Sequence, residues 1–267
     1  MIGAAPAKIN LALVVGPLRD DGKHELLTVF QRLDLGDRIS IEPAAETTVD
    51  GFAEDTIVRR ALDALPGPHG WRVRIDKWIP VAAGLAGGSS DAATALRLAN
   101  AQLERQLEPT ALAELAARIG ADVPFFLADG PQLGTGDGTQ LEPVALPQDF
   151  VVLLLLPKGE RKHSTAAVYE AFDRRGGEDG FAERAARLRS ALGATRRPRD
   201  LAELPPNDLA SSPLTDELRA LGALRADVSG AGPVVYALFN RRADAEAAAR
   251  AFRRRGRLWI TVPAWYG

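Results

Sequence analysis

Large apolar and charged residues alternate along Trp71-Arg72-Val73-Arg74-Ile75-Asp76, the period-two pattern of a half-buried strand. Ala92 to Leu107 is rich in Ala and Leu and holds neither Gly nor Pro, which predicts a helix. Residues 79 to 93 between them read IPVAAGLAGGSSDAA. By composition this is a flexible linker; its flanks make it a connection from strand to helix. Further strands are expected over Ala7 to Val15, around Arg38 to Glu42 and, from an apolar run, over Phe150 to Leu156. Helices are expected near Thr56 to Leu65, from Pro109 to a stop at Gly120, near Thr165 to Arg174, Phe181 to Leu192 and Leu214 to Leu221, and over about Ala243 to Arg254. DVSGAGPVVYALF reads as two short strands about a Gly-rich turn. A Pro/Arg-rich break falls at Arg196 to Arg199, and the chain turns polar at Leu146-Pro147-Gln148-Asp149 before the apolar strand. The expected domain boundary lies there, giving domains 1–147 and 148–267.

Strands and helices mixed in this way need a substantial core, and 267 residues suffice for one large or two ordinary domains. A hydrophobic fraction of 46% with 25% charged residues excludes disordered and fibrous classes. A net charge of -2 with both signs interspersed offers a polyanion no general attraction, so nucleic acid is not expected as a partner. The cluster Arg253, Arg254, Arg255 and Arg257 is read as cations complementing a helix C-terminus. With no cysteine, disulfides, thiolate zinc sites and thiol nucleophiles are all removed. His24, His69 and His163 are too scattered for a ligand motif. No apolar run approaches the roughly 20 residues of a membrane helix, and no cationic segment precedes the first apolar stretch. A cytoplasmic protein without a membrane partner is expected. Of 33 basic residues only five are lysines, Lys8, Lys23, Lys77, Lys158 and Lys162, so each lysine stands out against an arginine default.

A Gly-rich turn running into a helix presents backbone N–H groups at the positive end of the peptide dipoles, which suits phosphate. Ser89, Ser90 and Asp91 are good N-cap residues, and Gly84, Gly87 and Gly88 permit close approach to an anion. The Walker A ending Gly-Lys-Ser/Thr and the Rossmann spacing are both absent. From spacing alone, a capped helix after a flexible turn stays open. The string Pro80-Val81-Ala82-Ala83-Gly84-Leu85-Ala86-Gly87-Gly88-Ser89-Ser90, followed by Asp91-Ala92-Ala93, closely resembles the ATP-binding motif of the GHMP kinases, in which this loop wraps the phosphates of ATP.

Phosphoryl transfer needs alignment, charge neutralisation and a group to receive the proton of the accepting hydroxyl. Asp122, in Gly120-Ala121-Asp122-Val123-Pro124-Phe125-Phe126, is by itself read as a turn cap sooner than as a base. In Pro6-Ala7-Lys8-Ile9-Asn10-Leu11-Ala12-Leu13, alternation sets Lys8 and Asn10 on one strand face. By itself Lys8 could be an edge-strand guard against aggregation. Together with DDGKHELLTVFQ and the glycine loop, these segments resemble the branch of the GHMP kinases that phosphorylates the 2-hydroxyl of a cytidine diphosphate sugar alcohol in non-mevalonate isoprenoid precursor synthesis. The resemblance implies Asp122 as catalytic base and Lys8 as its electrostatic partner, ATP with Mg²⁺ as cosubstrate, and acceptor contacts from Asn10, Lys23, His24, Thr165 and Tyr169. Where the family writes Asp-Gly-Tyr-His, this chain has Asp21-Gly22-Lys23-His24, so an aromatic expected at the cytosine is a lysine. Tyr169 aligns with the second aromatic. Val228-Ser229-Gly230-Ala231-Gly232-Pro233 matches the family's late Gly-rich turn, and could equally be a tight hairpin.

The resemblance implies an α+β fold, the two-domain GHMP kinase fold with the active site in the interdomain cleft, as monomer or homodimer. Another GHMP small-molecule kinase with a changed acceptor, a mevalonate diphosphate decarboxylase and a non-catalytic nucleotide-binding regulator stay open.

Overall fold

In the computed structural model, residues 1–52, 56–67, 70–160 and 164–264 are described; His69, Lys162 and His163 fall outside them. Strands β1 (Ile2–Leu18) and β2 (His24–Ala44) pair with each other, and are followed by β3 (Thr48–Asp50), α1 (Thr56–Asp63), β4 (Gly70–Asp76), α2 (Gly87–Asn100) and α3 (Pro109–Ile119). Then come β5 (Gln132–Gly136), β6 (Gln140–Pro143), β7 (Val151–Pro157), α4 (Thr165–Arg174), α5 (Phe181–Ala194), α6 (Leu214–Ala220), β8 (Arg225–Val228), β9 (Val235–Phe239), α7 (Arg242–Phe252) and β10 (Gly256–Thr261). The mixture is α+β, as expected. The chain forms two compact units, each interleaved along the sequence: 1–7, 35–81 and 86–129 in one, 8–34, 82–85 and 130–267 in the other.

In the first unit the later part of β2 runs antiparallel to β4, with Ile41 opposite Val73, and β4 runs parallel to β3. The alternation in β4 does what its pattern predicts: Trp71, Val73 and Ile75 enter the core while Arg72 and Arg74 stay in solvent, paired with Glu42 and Asp76. Ile39 and Ile41 of β2 share that core with Val58 and Leu62 of α1, Ala92, Leu96 and Ala99 of α2, and Leu112 and Leu115 of α3. Pro109 opens α3 and Gly120 closes it.

In the second unit the early part of β2 pairs antiparallel with β5, and β5 and β6 form a hairpin turned at Asp137-Gly138. A second sheet, wholly antiparallel, has the order β10-β7-β9-β8. Its inward residues Leu153, Leu155, Val235, Ala237 and Phe239 pack with Leu214 and Leu218 of α6 and Ala245 and Phe252 of α7. Leu13 and Val15 of β1 pack with Phe172 of α4 and Leu209. Among the described residues no helix is long and apolar enough to cross a membrane.

Candidate active site

The loop between β4 and α2 has left-handed backbone at Ala82, Gly84 and Ala86 (φ 55°, 84° and 54°). Two of these are alanines, for which that conformation carries steric strain of about 1–2 kcal/mol each. Second-unit donors hold three successive loop carbonyls: Val234 N–H reaches Ala83 O at 3.1 Å, Ser229 Oγ reaches Gly84 O at 2.9 Å, and Lys8 N–H reaches Leu85 O at 3.2 Å. In a planar trans peptide the N–H points opposite to the C=O. The N–H groups of Gly84, Leu85 and Ala86 therefore face away from these partners, in series, as an anion-binding turn requires.

Helix α2 starts at Gly87, earlier than its composition suggests, and ends at Asn100. Its N-cap is Ala86, without a side-chain cap, so Ser89, Ser90 and Asp91 are helical and not the expected caps. Ser90 Oγ is buried with no hydrogen-bond partner among the described residues, a state that costs about 1–3 kcal/mol unless a ligand satisfies it. The three glycines differ. A Cβ on Gly84 would stand 2.3 Å from Ser229 O; one on Gly87 would meet Ile79 Cγ2 at 3.2 Å and Lys77 Nζ at 3.3 Å; one on Gly88 would find only Ile57 Cδ1 at 3.7 Å. The fold itself needs glycine at 84, and has space to spare at 88.

Elsewhere in the first unit, Lys77 Nζ lies between two buried carboxylates, Asp37 Oδ2 at 2.5 Å and Asp91 Oδ2 at 2.7 Å. Burial works to lower the Lys77 pKa, but Asp91 and Asp37 outweigh it and hold the ammonium above the usual lysine value. Asp37 Oδ1 also accepts from the N–H groups of Trp78 and Ile79. Asp122 is half-buried in the turn after α3, where Val123 N–H bonds to Gly120 O at 3.0 Å and a 3-10 turn over Pro124–Phe126 follows.

In the second unit Lys8 is 4% exposed, which rules out a solvated edge guard. Its ammonium donates to Asn10 Oδ1 at 2.7 Å and stands 5.3 Å from the centre of the Phe30 ring. Asn10 Nδ2 donates to Thr28 Oγ1 at 2.8 Å, which donates on to Ala12 O. Lys8 and Asn10 thus share a strand face, as their alternation predicts. The turn from Ser229 to Pro233 joins β8 to β9 as expected, with positive φ at Gly230 and Gly232 and a cis Gly232–Pro233 bond. A Cβ on Gly230 would be 3.5 Å from Asn10 Oδ1 and 3.8 Å from Lys8 Nζ, so this turn lies against the lysine. Asn207 holds the turn by donating to Val228 O at 2.9 Å and Gly230 O at 2.6 Å. Below it, buried Arg225 donates to Asp227 Oδ2 at 2.9 Å and Tyr236 Oη at 3.0 Å. Burial pushes the Tyr236 phenol up to about 12.

Tyr169, Phe172 and Asp173 are spaced i, i+3, i+4 on α4 and therefore share a face. They surround His24: Tyr169 stacks on it at 4.9 Å between ring centroids, Phe172 meets it edge-on at 5.8 Å, and Asp173 Oδ1 lies 2.8 Å from Nε2. Thr165 is exposed at the start of the same helix, behind the N-cap Ser164. Lys23 does not join this cluster; its ammonium pairs with Asp137 on the β5–β6 hairpin. Burial works to raise the Asp137 pKa, but hydrogen bonds from Lys23 and Thr139 bring it below the usual carboxylate value.

The two units thus offer a turn with three successive N–H groups turned away from their neighbours' donors, a half-buried carboxylate in a turn, a buried ammonium and an aromatic–imidazole pair. Sequence reasoning missed Ser229 as the holder of the loop, Asn207 as the clamp of the late turn, and the Asp37–Lys77–Asp91 cluster. For the last, the scarcity of lysine was the available signal; Ser229 lies in the Gly-rich turn that the motif marks, but its contact with the loop, like that of Asn207 with the turn, is to backbone brought near only by folding.

Residues 53–130 match the family described as GHMP kinases N terminal domain, and residues 183–258 match GHMP kinases C terminal. A 4-diphosphocytidyl-2-C-methyl-D-erythritol kinase from Rhodococcus jostii (strain RHA1) is 40% identical over 92% of this chain and 85% of its own. One from Nocardia farcinica (strain IFM 10152) is 42% identical over 92% and 87%. A crystal structure of 4-(cytidine 5'-diphospho)-2C-methyl-D-erythritol kinase is similar with a TM-score of 0.77 at 32% identity, covering 99% of this chain and 100% of that one. Methanococcus jannaschii mevalonate kinase reaches 0.76 at 13% identity, covering 99% and 98%, a likeness of fold alone. Matched by both family models and alike to these relatives over 92% of its length, the chain belongs to the GHMP kinases.

Proposed function

We propose that this chain transfers the γ-phosphoryl group of ATP to the 2-hydroxyl of 4-diphosphocytidyl-2-C-methyl-D-erythritol, in the cytoplasm, as a step of non-mevalonate isoprenoid precursor synthesis. The observation that carries this reading is the 40–42% identity, over 92% of the chain, to relatives named for that substrate. Fold does not choose the acceptor, because a mevalonate kinase has nearly the same TM-score. The expected domains 1–147 and 148–267 suit this reading, since the two family matches lie on either side of the cut.

In this reading the N–H groups of Gly84, Leu85 and Ala86 and the first turn of α2 bind the ATP phosphates, and Gly88 leaves room for them. Ser90 Oγ, buried and without a partner among the described residues, suits a phosphate oxygen or Mg²⁺, which spreads the charge of the phosphates when bound. Asp122 takes the proton of the accepting hydroxyl, and Lys8, oriented by Asn10, holds the acceptor oxygen. His24 and Tyr169 meet the cytosine, with Thr165 and Lys23 at its margin. The test is ADP release with ATP, Mg²⁺ and this acceptor, run beside Asp122→Asn and Lys8→Ala. Loss of the base costs about a hundredfold or more in turnover. Near-full turnover in folded variants overturns the assignment, and no turnover from a folded, ATP-binding protein points to another alcohol acceptor.

A further inference from the structure

The glycine loop is fastened at both ends of its first-unit flanks by one ion cluster that the phosphoryl-transfer chemistry does not use. Asp37 accepts from the N–H groups of Trp78 and Ile79, the residues just before the loop, and from Lys77. The same ammonium reaches Asp91, the fifth residue of α2 and just beyond the loop. Both aspartate side chains are fully buried, and Lys77 is only 15% exposed. Gly87 is small where Lys77 needs space: a Cβ there would come within 3.3 Å of Nζ. A compact ammonium fits between the carboxylates beside that glycine, whereas a planar guanidinium fork is larger. That accounts for one of only five lysines in a chain that otherwise uses arginine.

We propose that Lys77 is a positioning residue for phosphate binding: by joining Asp37 to Asp91 it fixes where the N-terminus of α2 stands relative to the end of β4. The proposal rests on reading the loop as the phosphate site. Lys77 acts through position: it sets where the first helical turn of α2 presents its N–H groups to the anion. Loosening it affects ligands in proportion to their phosphates and leaves binding of the base and sugar alone.

The experiment measures ADP and adenosine affinities by calorimetry, with Michaelis constants for ATP and the alcohol, in the wild type, Asp91→Asn, Lys77→Met and Gly88→Ala. Asp91→Asn keeps the shape and leaves the ammonium its Asp37 partner, so it reports even where Lys77→Met, which takes the shared ammonium from two buried carboxylates, fails to fold. The expected result is that Asp91→Asn weakens ADP by about tenfold while adenosine and the Michaelis constant for the alcohol stay within about twofold. A folded Asp91→Asn protein with an unchanged ratio of ADP to adenosine affinity overturns the proposal, as does a fall in melting temperature with no change in affinities. If Gly88→Ala weakens ADP while Asp91→Asn does not, only the role of Lys77 fails; if neither does, the phosphate reading of the loop fails with it.

Discussion

Replacing Gly88 by alanine separates what the fold needs from what a ligand needs. The added methyl meets only Ile57 Cδ1, at 3.7 Å, which is ordinary contact, and Gly88 is already helical. Alanine in place of a helical glycine is then stabilising, by about 0.5–1 kcal/mol, through propensity and a less disordered unfolded chain. At roughly 2–4 °C per kcal/mol, the melting temperature rises by about 1–4 °C. The same methyl fills the space read as the phosphate cradle. One lost hydrogen bond to a charged group is worth about 1.5–3 kcal/mol, so the Michaelis constant for ATP rises by about tenfold to a hundredfold. The contrast is Gly84→Ala, where a Cβ would stand 2.3 Å from Ser229 O on a backbone at φ 84°, and where stability and ATP binding fall together. Thermal melting and ATP-dependent ADP release on the two variants decide the matter. A Gly88→Ala protein that melts higher but keeps its ATP constant refutes the cradle; one that melts lower refutes the claim of open space.

Three further outcomes are expected. Because the Asp137 carboxyl is held below its usual value in the fold, it contributes stability above about pH 4 that is lost as the pH falls through its lowered pKa, and Asp137→Asn flattens that acid limb in melts taken from pH 5 to 2. Arg225→Met strips buried Asp227 of its partner and costs about 3–5 kcal/mol, a fall of roughly 6–20 °C in melting temperature; adding Asp227→Asn recovers part of it. His24→Ala or Tyr169→Ala raises the Michaelis constant for the cytidylyl acceptor by about fivefold to a hundredfold, the worth of one stacking contact, and leaves that for ATP within twofold; equal effects on both constants remove these residues from the base pocket.

Where periodicity and punctuation agreed, local sequence was a sufficient guide. Trp71 to Asp76 alternates and is a strand; Pro109 and Gly120 bracket a helix; Thr165–Arg174 has the predicted bounds. The start of α2 was not legible. Its glycines depress helix propensity, and three polar residues resemble caps, yet carbonyls pinned at residues 83 to 85 fix the backbone so that the helix begins at Gly87. Nor was the first half of β2 recognised, because His24 to Asp37 lacks a strict alternation when both faces are largely buried. The β5–β6 hairpin carried a turn signal, Asp137-Gly138, that lay among so many glycines and threonines that it read as loop. Of the candidate site, Lys8, Asn10, His24 and Tyr169 are named through motifs, and the structure pairs Lys8 with Asn10 and His24 with Tyr169. The residues that hold the glycine loop, its first-unit flank, the late turn and the imidazole, namely Ser229, Asp37, Asn207 and Asp173, act across long stretches of chain, and their types alone do not distinguish them from any buried polar group.

The three loop N–H groups that face away from Val234, Ser229 and Lys8 belong to the main chain, and every residue except proline supplies one. An inhibitor drawing its affinity from them would confront a surface with no side chain to exchange. Resistance by point substitution would have to come through volume, as at Gly88, or through a bent loop, as at Gly84, and in the proposed reading each such change strikes the nucleotide as hard as the drug.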